Sequence, residues 1–147
     1  GSIYYQTMNQ LGSKLPEPEL KQITLQIDAL HRANDEGLLL SCHPIAEGGL
    51  ATALCRMSFI NHIGCHVTLP SLLSPDKIVF SEAPGFVIEV KPDQINAVKN
   101  CFTEYNVTTF EIGKTHSEQT ICIDKQIRLP LNHAYEVWKE GLREKLL

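Results

Sequence analysis

The chain is short of positive charge. Thirteen Lys and Arg against 17 Asp and Glu leave a formal net charge of −4 and a pI near 5.8. A nucleic-acid-binding module would carry a basic face, so that class is set aside. The cations also sit beside acids, as in Lys139-Glu140 and Arg143-Glu144-Lys145, which is the pattern of a solvated helix face. Long apolar runs are missing: none approaches the roughly 20 residues of a membrane span, and no signal-peptide pattern precedes the domain. There is neither a G-x-x-x-x-G-K-[ST] loop nor a G-x-G-x-x-G fingerprint, which removes two familiar phosphate cradles. Cysteine is present without order. The five residues (42, 55, 65, 101 and 122) are odd in number, irregularly spaced and mostly set in apolar patterns. That usage predicts reduced core thiols in a cytoplasmic protein. Internal repeats and low-complexity segments are also lacking.

What is present suffices for one soluble domain with a real core: 147 residues, 43% hydrophobic and 20% charged. Residues 1–16 read as a leading arm or linker and residues 17–147 as the domain. Pro16 and Pro18 precede a helix whose Leu20, Ile23, Ile27 and Leu30 share one face, and Gly37 stops it. Residues 38–42 fit a strand covered on both faces. A second helix spans about 48–62, with Leu50, Leu54, Met57 and Ile60 as its stripe and Gly64 as its end. Strands are expected at 65–69, 78–81, 86–90 and 107–113, and a loop at 70–77. Pro92 opens a third helix lined by Ile95, Val98 and Phe102. Residues 120–123 and 126–129 predict a hairpin closed at Asp124-Lys125. Asn132 is placed to cap a last helix bearing Leu131, Tyr135, Trp138 and Leu142. The order is α/β (α+β), a mixed sheet with helices packed on it.

The stretch 41–50, Ser-Cys-His-Pro-Ile-Ala-Glu-Gly-Gly-Leu, joins a strand to a helix start. The first N–H groups of a helix are unpaired and carry partial positive charge, so Gly48 and Gly49 are candidates to hold a phosphate or carboxylate; a tight turn alone explains them equally well. His43 and Glu47 are the polar side chains beside them. Glu82 and Gly85, where two strands are expected to bend, are candidates for ligand contact, and an ordinary turn acid fits Glu82 as well. The pairs Cys42-His43 and Cys65-His66 point to opposite faces of a strand, so no metal site is expected. No nucleophile has a base within reach, and no catalytic residue is assigned.

The residues carry a resemblance further than pattern does. Ala29-Leu30-His31, the run from Gly37 to His43, Glu47-Gly48-Gly49-Leu50-Ala51-Thr52-Ala53-Leu54 and Met57-Ser58-Phe59 resemble the C-terminal domain of the aminoimidazole ribonucleotide (AIR) synthetase superfamily. Within it the likeness is to the phosphoribosylformylglycinamidine synthase family, which reads H-D-[IVL]-S-[DE]-G-G-L here. Gly1-Ser2-Ile3-Tyr4-Tyr5, Phe80-Ser81-Glu82 with Gly85, and the Trp138 tail match its other segments. The resemblance implies a three-layer mixed sheet with flanking helices, partly ferredoxin-like. It implies a protein that uses ATP and Mg²⁺ to activate the amide of formylglycinamide ribonucleotide, which glutamine-derived ammonia then converts to the amidine. The implied partners are a companion ATP-binding half of the same protein and a glutaminase domain or subunit. A homodimer of the fragment is a further expectation; nucleic acid and membrane are not expected. The chain departs from the pattern at Pro44 (Asp in the family), Ala46 (Ser) and Phe86 (frequently Arg), which suggests the second, less catalytic copy of the domain; as a fragment of a larger chain, without the companion half that the resemblance implies holds most nucleotide-binding residues, it is expected to be inactive and to bind no cofactor tightly. The alternatives are a hydrogenase-maturation-type sister protein of the superfamily, and a non-catalytic scaffold or interaction domain.

Overall fold

The computed structural model describes residues 2–11, 17–70, 73–124 and 127–141. Its first element is a short helix, α1 (Ile3–Thr7), within the expected arm. Helix α2 (Leu20–Asp35) ends in a Schellman arrangement: Leu38 N–H donates to the Ala33 carbonyl at 2.9 Å and Gly37 N–H to Asn34 at 2.9 Å, with Gly37 at φ +68. Its buried side is Ala29, Leu30 and Ala33, whereas Leu20 is 76% and Ile27 41% exposed. The stripe is rotated from the expected one because α2 meets α5 (Ile95–Glu104) through small residues. Ala29 and Ala33, one turn apart, let the backbones approach, and the Cys101 Sγ lies 3.8 Å from the Ala29 carbonyl oxygen.

Strand β1 (Leu39–Ile45) pairs antiparallel with β3 (Gly85–Val90) as a two-stranded ribbon. The expectation of a strand covered on both faces is corrected: β1 alternates half-buried and exposed residues, and Leu40 is 54% exposed. A bulge between Leu39 and Ser41 sets Leu40 apart from the ladder. Four further strands form a mixed sheet in the order β4-β2-β5-β6: β2 (Gly64–Val67), β4 (Gly113–His116), β5 (Thr120–Ile123) and β6 (Ile127–Pro130). The hairpin β5–β6 is as expected, with Ile121 and Ile123 1% and 3% exposed; Lys125 and Gln126 of its turn lie outside the described residues.

Several expected elements shift. Residues 78–81 are not a strand. Pro75–Phe80 form helix α4, with Pro75 in its first turn and Val79 buried. Residues 107–112 have no regular structure, and the strand there begins at Gly113. Helix α3 runs Gly49–Asn61 and is ended by His62 in the left-handed region; Gly64 instead starts β2, where a Cβ would collide with the carbonyl oxygens of Glu118 and Thr120. Ile60 leaves the α3 stripe at 80% exposure, and Ser58 and Phe59 are buried in its place. Helix α6 (Leu131–Glu140) starts ahead of Asn132, so Pro130 holds the cap position; Leu142 lies outside the described residues.

Two buried clusters flank the ribbon. One joins α3 and α4 to the four-stranded sheet through Leu50, Leu54, Val79, Cys65, Val67, Ile121 and Val87. The other joins α2 and α5 through Ala29, Leu30, Val98, Phe102 and Val107, with Phe86 and Ile88 packed on it. The class is the mixed α/β one expected, with the strands divided between two sheets.

Candidate functional site

The turn between β1 and α3 forms because Gly48 and Gly49 both take positive φ, +79 and +69. Gly49 N–H donates to the Ala46 carbonyl at 2.9 Å, closing the turn. The two glycines serve different ends. A Cβ on Gly48 would collide with the Thr52 hydroxyl. A Cβ on Gly49 would stand 2.7 Å from the Val79 carbonyl oxygen and 2.8 Å from Phe80 backbone atoms, so this glycine lets α3 start against the end of α4.

That approach brings Glu82 to the turn. Its Oε1 accepts from Gly48 N–H at 3.1 Å, and the same oxygen accepts from Ile3 N–H at 2.9 Å. Gly48 is the N-cap of α3, so a carboxylate of the chain itself sits where the unpaired N–H groups of α3 favour an anion. The Tyr4 ring stacks on Phe80 at 4.3 Å between centroids and 3° between planes. Ile3, Tyr4, Phe80 and Thr52 are quoted for the family resemblance but are not among the site residues expected from sequence. The pattern offers only the Tyr4-Tyr5 pair as a signal, and a backbone donor such as Ile3 leaves none.

The remaining candidates are placed around this point. Gly85 pairs with Ile45 at the same end of the ribbon. His43 lies within β1 rather than after it, and its Nδ1–H donates to the Pro44 carbonyl at 2.7 Å. Glu47 is exposed in the turn and takes no hydrogen bond among the described residues. Glu47 and Glu82 have no ion-pair partner there; the ion pairs are Arg32–Glu36, Arg32–Glu104 and Lys99–Glu111. The structure therefore joins the Gly48–Gly49 turn to Glu82, sets Gly85 against Ile45 at that end of the ribbon, and leaves the His43 and Glu47 side chains apart.

Among the described residues no three His, Cys, Asp or Glu side chains lie close enough to hold a metal ion. Glu82 is engaged by backbone N–H groups, and the family's Asp and Ser are Pro44 and Ala46. This donor set does not fit Mg²⁺. Elsewhere, His66 and His116 pack edge to face at 4.2 Å on neighbouring strands, and both ring nitrogens of His116 are buried without a partner among the described residues. Burial pushes the Cys55 and Cys65 thiols up to about 11, so neither is a ready nucleophile; for Cys55 nearby Cys65 adds to the rise.

The phosphoribosylformylglycinamidine synthase subunit PurL of Lactobacillus helveticus is 30% identical over 136 residues, covering 88% of this chain and 18% of that protein. The "probable membrane antigen 75" of Saimiriine herpesvirus 2 is 26% identical over 123 residues, covering 84% of this chain and 10% of that protein. In fold, the chain is similar to the structure of PurLQS from Thermotoga maritima, with TM-score 0.72 and 15% identity over 80% of this chain and 22% of that one. Other T. maritima PurL structures of like fold are complexes with FGAR and with ATP. The chain thus spans a fifth or less of the curated relatives named here. A family model, AIR synthase related protein, C-terminal domain, matches residues 1–124, and the chain belongs to that family.

Proposed function

We propose that the chain is the second, non-catalytic AIR-synthase-type C-terminal domain of a protein related to phosphoribosylformylglycinamidine synthase. In such a protein, ATP activates the amide of formylglycinamide ribonucleotide and ammonia from glutamine displaces phosphate. The domain's part would be to shape and support the site from the β1–α3 turn, whose Gly48 and Gly49 N–H groups are held by Glu82 and the Ala46 carbonyl, with residues 17–147 as the domain. The observation that carries this is the β1–α3 turn. It keeps the glycines and the acid of the family's signature, yet its side chains at positions 44 and 46 offer neither carboxylate nor hydroxyl. Mg²⁺ and nucleotide would be held mainly by the companion half, and ammonia supplied by a glutaminase domain or subunit. Exposed Ile60 (80%), Val137 (59%) and Trp138 (51%) offer an apolar surface to that half or to a second copy.

A second reading, a scaffold or interaction domain without catalysis, is favoured by the viral relative, whose name is that of an antigen rather than a synthase. In either case a cytoplasmic setting is our reading, in keeping with five free cysteines; no helix among the described residues is long and apolar enough to cross a membrane. Calorimetry with ATP–Mg²⁺ and formylglycinamide ribonucleotide, on the 147-residue chain and on the longer protein, distinguishes the two readings. The first expects binding and turnover in the longer protein only; the second expects neither. Turnover of ATP and glutamine by residues 1–147 alone would overturn both.

A further inference from the structure

We propose that His66 and His116 bind a divalent transition metal ion of the Zn²⁺ class between them, clasping the edge strand β4 to its neighbour β2. The site shares no residue with the β1–α3 turn. Three observations converge on it. First, register places the two imidazoles on one face. His116 pairs with Gly64, and His66 stands two residues further along β2. Side chains alternate along a strand, so His66 and His116 point the same way as diagonal neighbours. Their ring centroids are 4.2 Å apart. Second, the helices pack on the opposite face. Cys65 and Val67 belong to the buried cluster there, while His66 is exposed. Third, both ring nitrogens of His116 are buried without a hydrogen-bond partner among the described residues. Buried polar atoms are as a rule paired with protein, water or an ion, and a metal ion bonded to either nitrogen would satisfy it.

The chemistry of the donors sets the class of ion. Imidazole suits Zn²⁺, Cu²⁺ and Ni²⁺, whereas Mg²⁺ and Ca²⁺ take oxygen. Zn–N bonds of about 2.0–2.1 Å at a tetrahedral angle need the two nitrogens about 3.3 Å apart. The rings meet edge to face at 61° between planes. Turning the exposed His66 ring about its broad χ2 torsion brings one of its nitrogens beside one of His116. Cys122 stands directly opposite His66 on β5, yet no three such side chains among the described residues lie close enough to share a metal ion. Two imidazoles therefore hold the ion, and water completes its four ligands. Exposed Lys114, opposite His66 on β4, adds a positive charge that keeps the affinity modest.

Titration of the 147-residue chain with Zn²⁺, followed by calorimetry and by NMR of the imidazole rings, tests this. Of the six histidines, His66 and His116 are expected to shift, and Mg²⁺ should shift neither. His66→Ala and His116→Leu should each weaken Zn²⁺ binding about tenfold or more. Cys122→Ser should leave it unchanged. Saturating Zn²⁺ should raise the Tm of the unaltered chain and not that of His66→Ala, because an ion that binds only the folded state stabilises it. His66 is exposed, so His66→Ala keeps the fold and decides the matter should His116→Leu fail to fold. Absence of Zn²⁺ binding overturns the proposal, as does Zn²⁺ that shifts only His31, His43, His62 or His133. So does His66→Ala that binds Zn²⁺ as tightly as the unaltered chain, or binding that is lost in Cys122→Ser.

Discussion

Pro44 and Phe86 stand directly opposite one another across the β1–β3 ribbon. They are two of the three positions at which the chain departs from the family pattern, which has Asp at the first and frequently Arg at the second. In this chain the two positions form one apolar cross-strand pair. Proline is tolerated because a two-stranded ribbon leaves each strand an open edge. Phe86 turns its ring to the α2–α5 cluster.

Restoring the charges singly should therefore hurt more than restoring them together. Pro44→Asp faces a phenyl ring, and Phe86→Arg leaves the cluster a ring short; we expect each to cost about 1–2 kcal/mol. The double variant should recover about 0.5–1 kcal/mol of the sum through the cross-strand pair. A double-mutant cycle by urea unfolding measures this, and strict additivity would refute the coupling.

Gly49 and Gly37 allow a controlled comparison. Both have positive φ, but a Cβ at Gly37 meets nothing within 4 Å, while one at Gly49 meets the Val79 carbonyl oxygen at 2.7 Å. Gly37→Ala should cost about 1 kcal/mol, the backbone strain alone. Gly49→Ala should cost about 3 kcal/mol or more, because α3 must also retreat from α4. Equal losses in denaturant melts would show that the close approach carries no weight.

The buried Cys65 thiol and the half-buried Cys55 thiol give a pH dependence with a definite sign. Cys55 and Cys65 are pushed up to about 11 by burial, from about 9.0 in the unfolded chain. Between those values the unfolded state releases protons that the folded state keeps, so stability falls as pH rises from about 9 to about 11. At pH 8 about one thiol in a thousand is ionised at each site. Iodoacetamide should therefore spare both in the native chain and modify all five cysteines in denaturant, as mass spectrometry of the peptides would show. Rapid native labelling of Cys65 would contradict its burial.

His116 should be improvable. Both its ring nitrogens are buried without a hydrogen-bond partner among the described residues, and an unsatisfied buried polar group costs more than an apolar one of like size. His116→Leu is expected to raise stability by about 1 kcal/mol. A loss of stability on thermal unfolding would mean that the imidazole is satisfied in solution.

The sequence was most legible where side-chain period and packing agree. Val98 and Phe102 in α5, Leu50 and Leu54 in α3, and Ile121 and Ile123 in the hairpin are buried as their spacing predicts. It misled where small residues decide the contact: Ala29 and Ala33 set the α2 seam, and the larger Leu20 and Ile27 face outward. Helix α4 was missed because Ile78-Val79-Phe80 has strand-like composition, although Ser74-Pro75-Asp76 ahead of it is a helix-start sequence. At the site, Gly48, Gly49 and Glu82 could be named from their types. Their joining could not, since it depends on a backbone donor, Gly48 N–H, 34 positions before Glu82, with a second, Ile3 N–H, 79 positions before it.

The ribbon between the two clusters acts as a parity check on assembly. Side chains alternate along a strand, so the apolar residues of β3 divide between the two clusters by odd or even place. Val87 and Ile45 pack with α3, while Phe86 and Ile88 pack with α2 and α5. A slip of one residue between β1 and β3 would exchange those memberships and spoil both cores at once. Misregistered chains are thus penalised twice for a single error, and a ribbon of only two strands acquires a unique alignment that its own hydrogen bonds could not enforce.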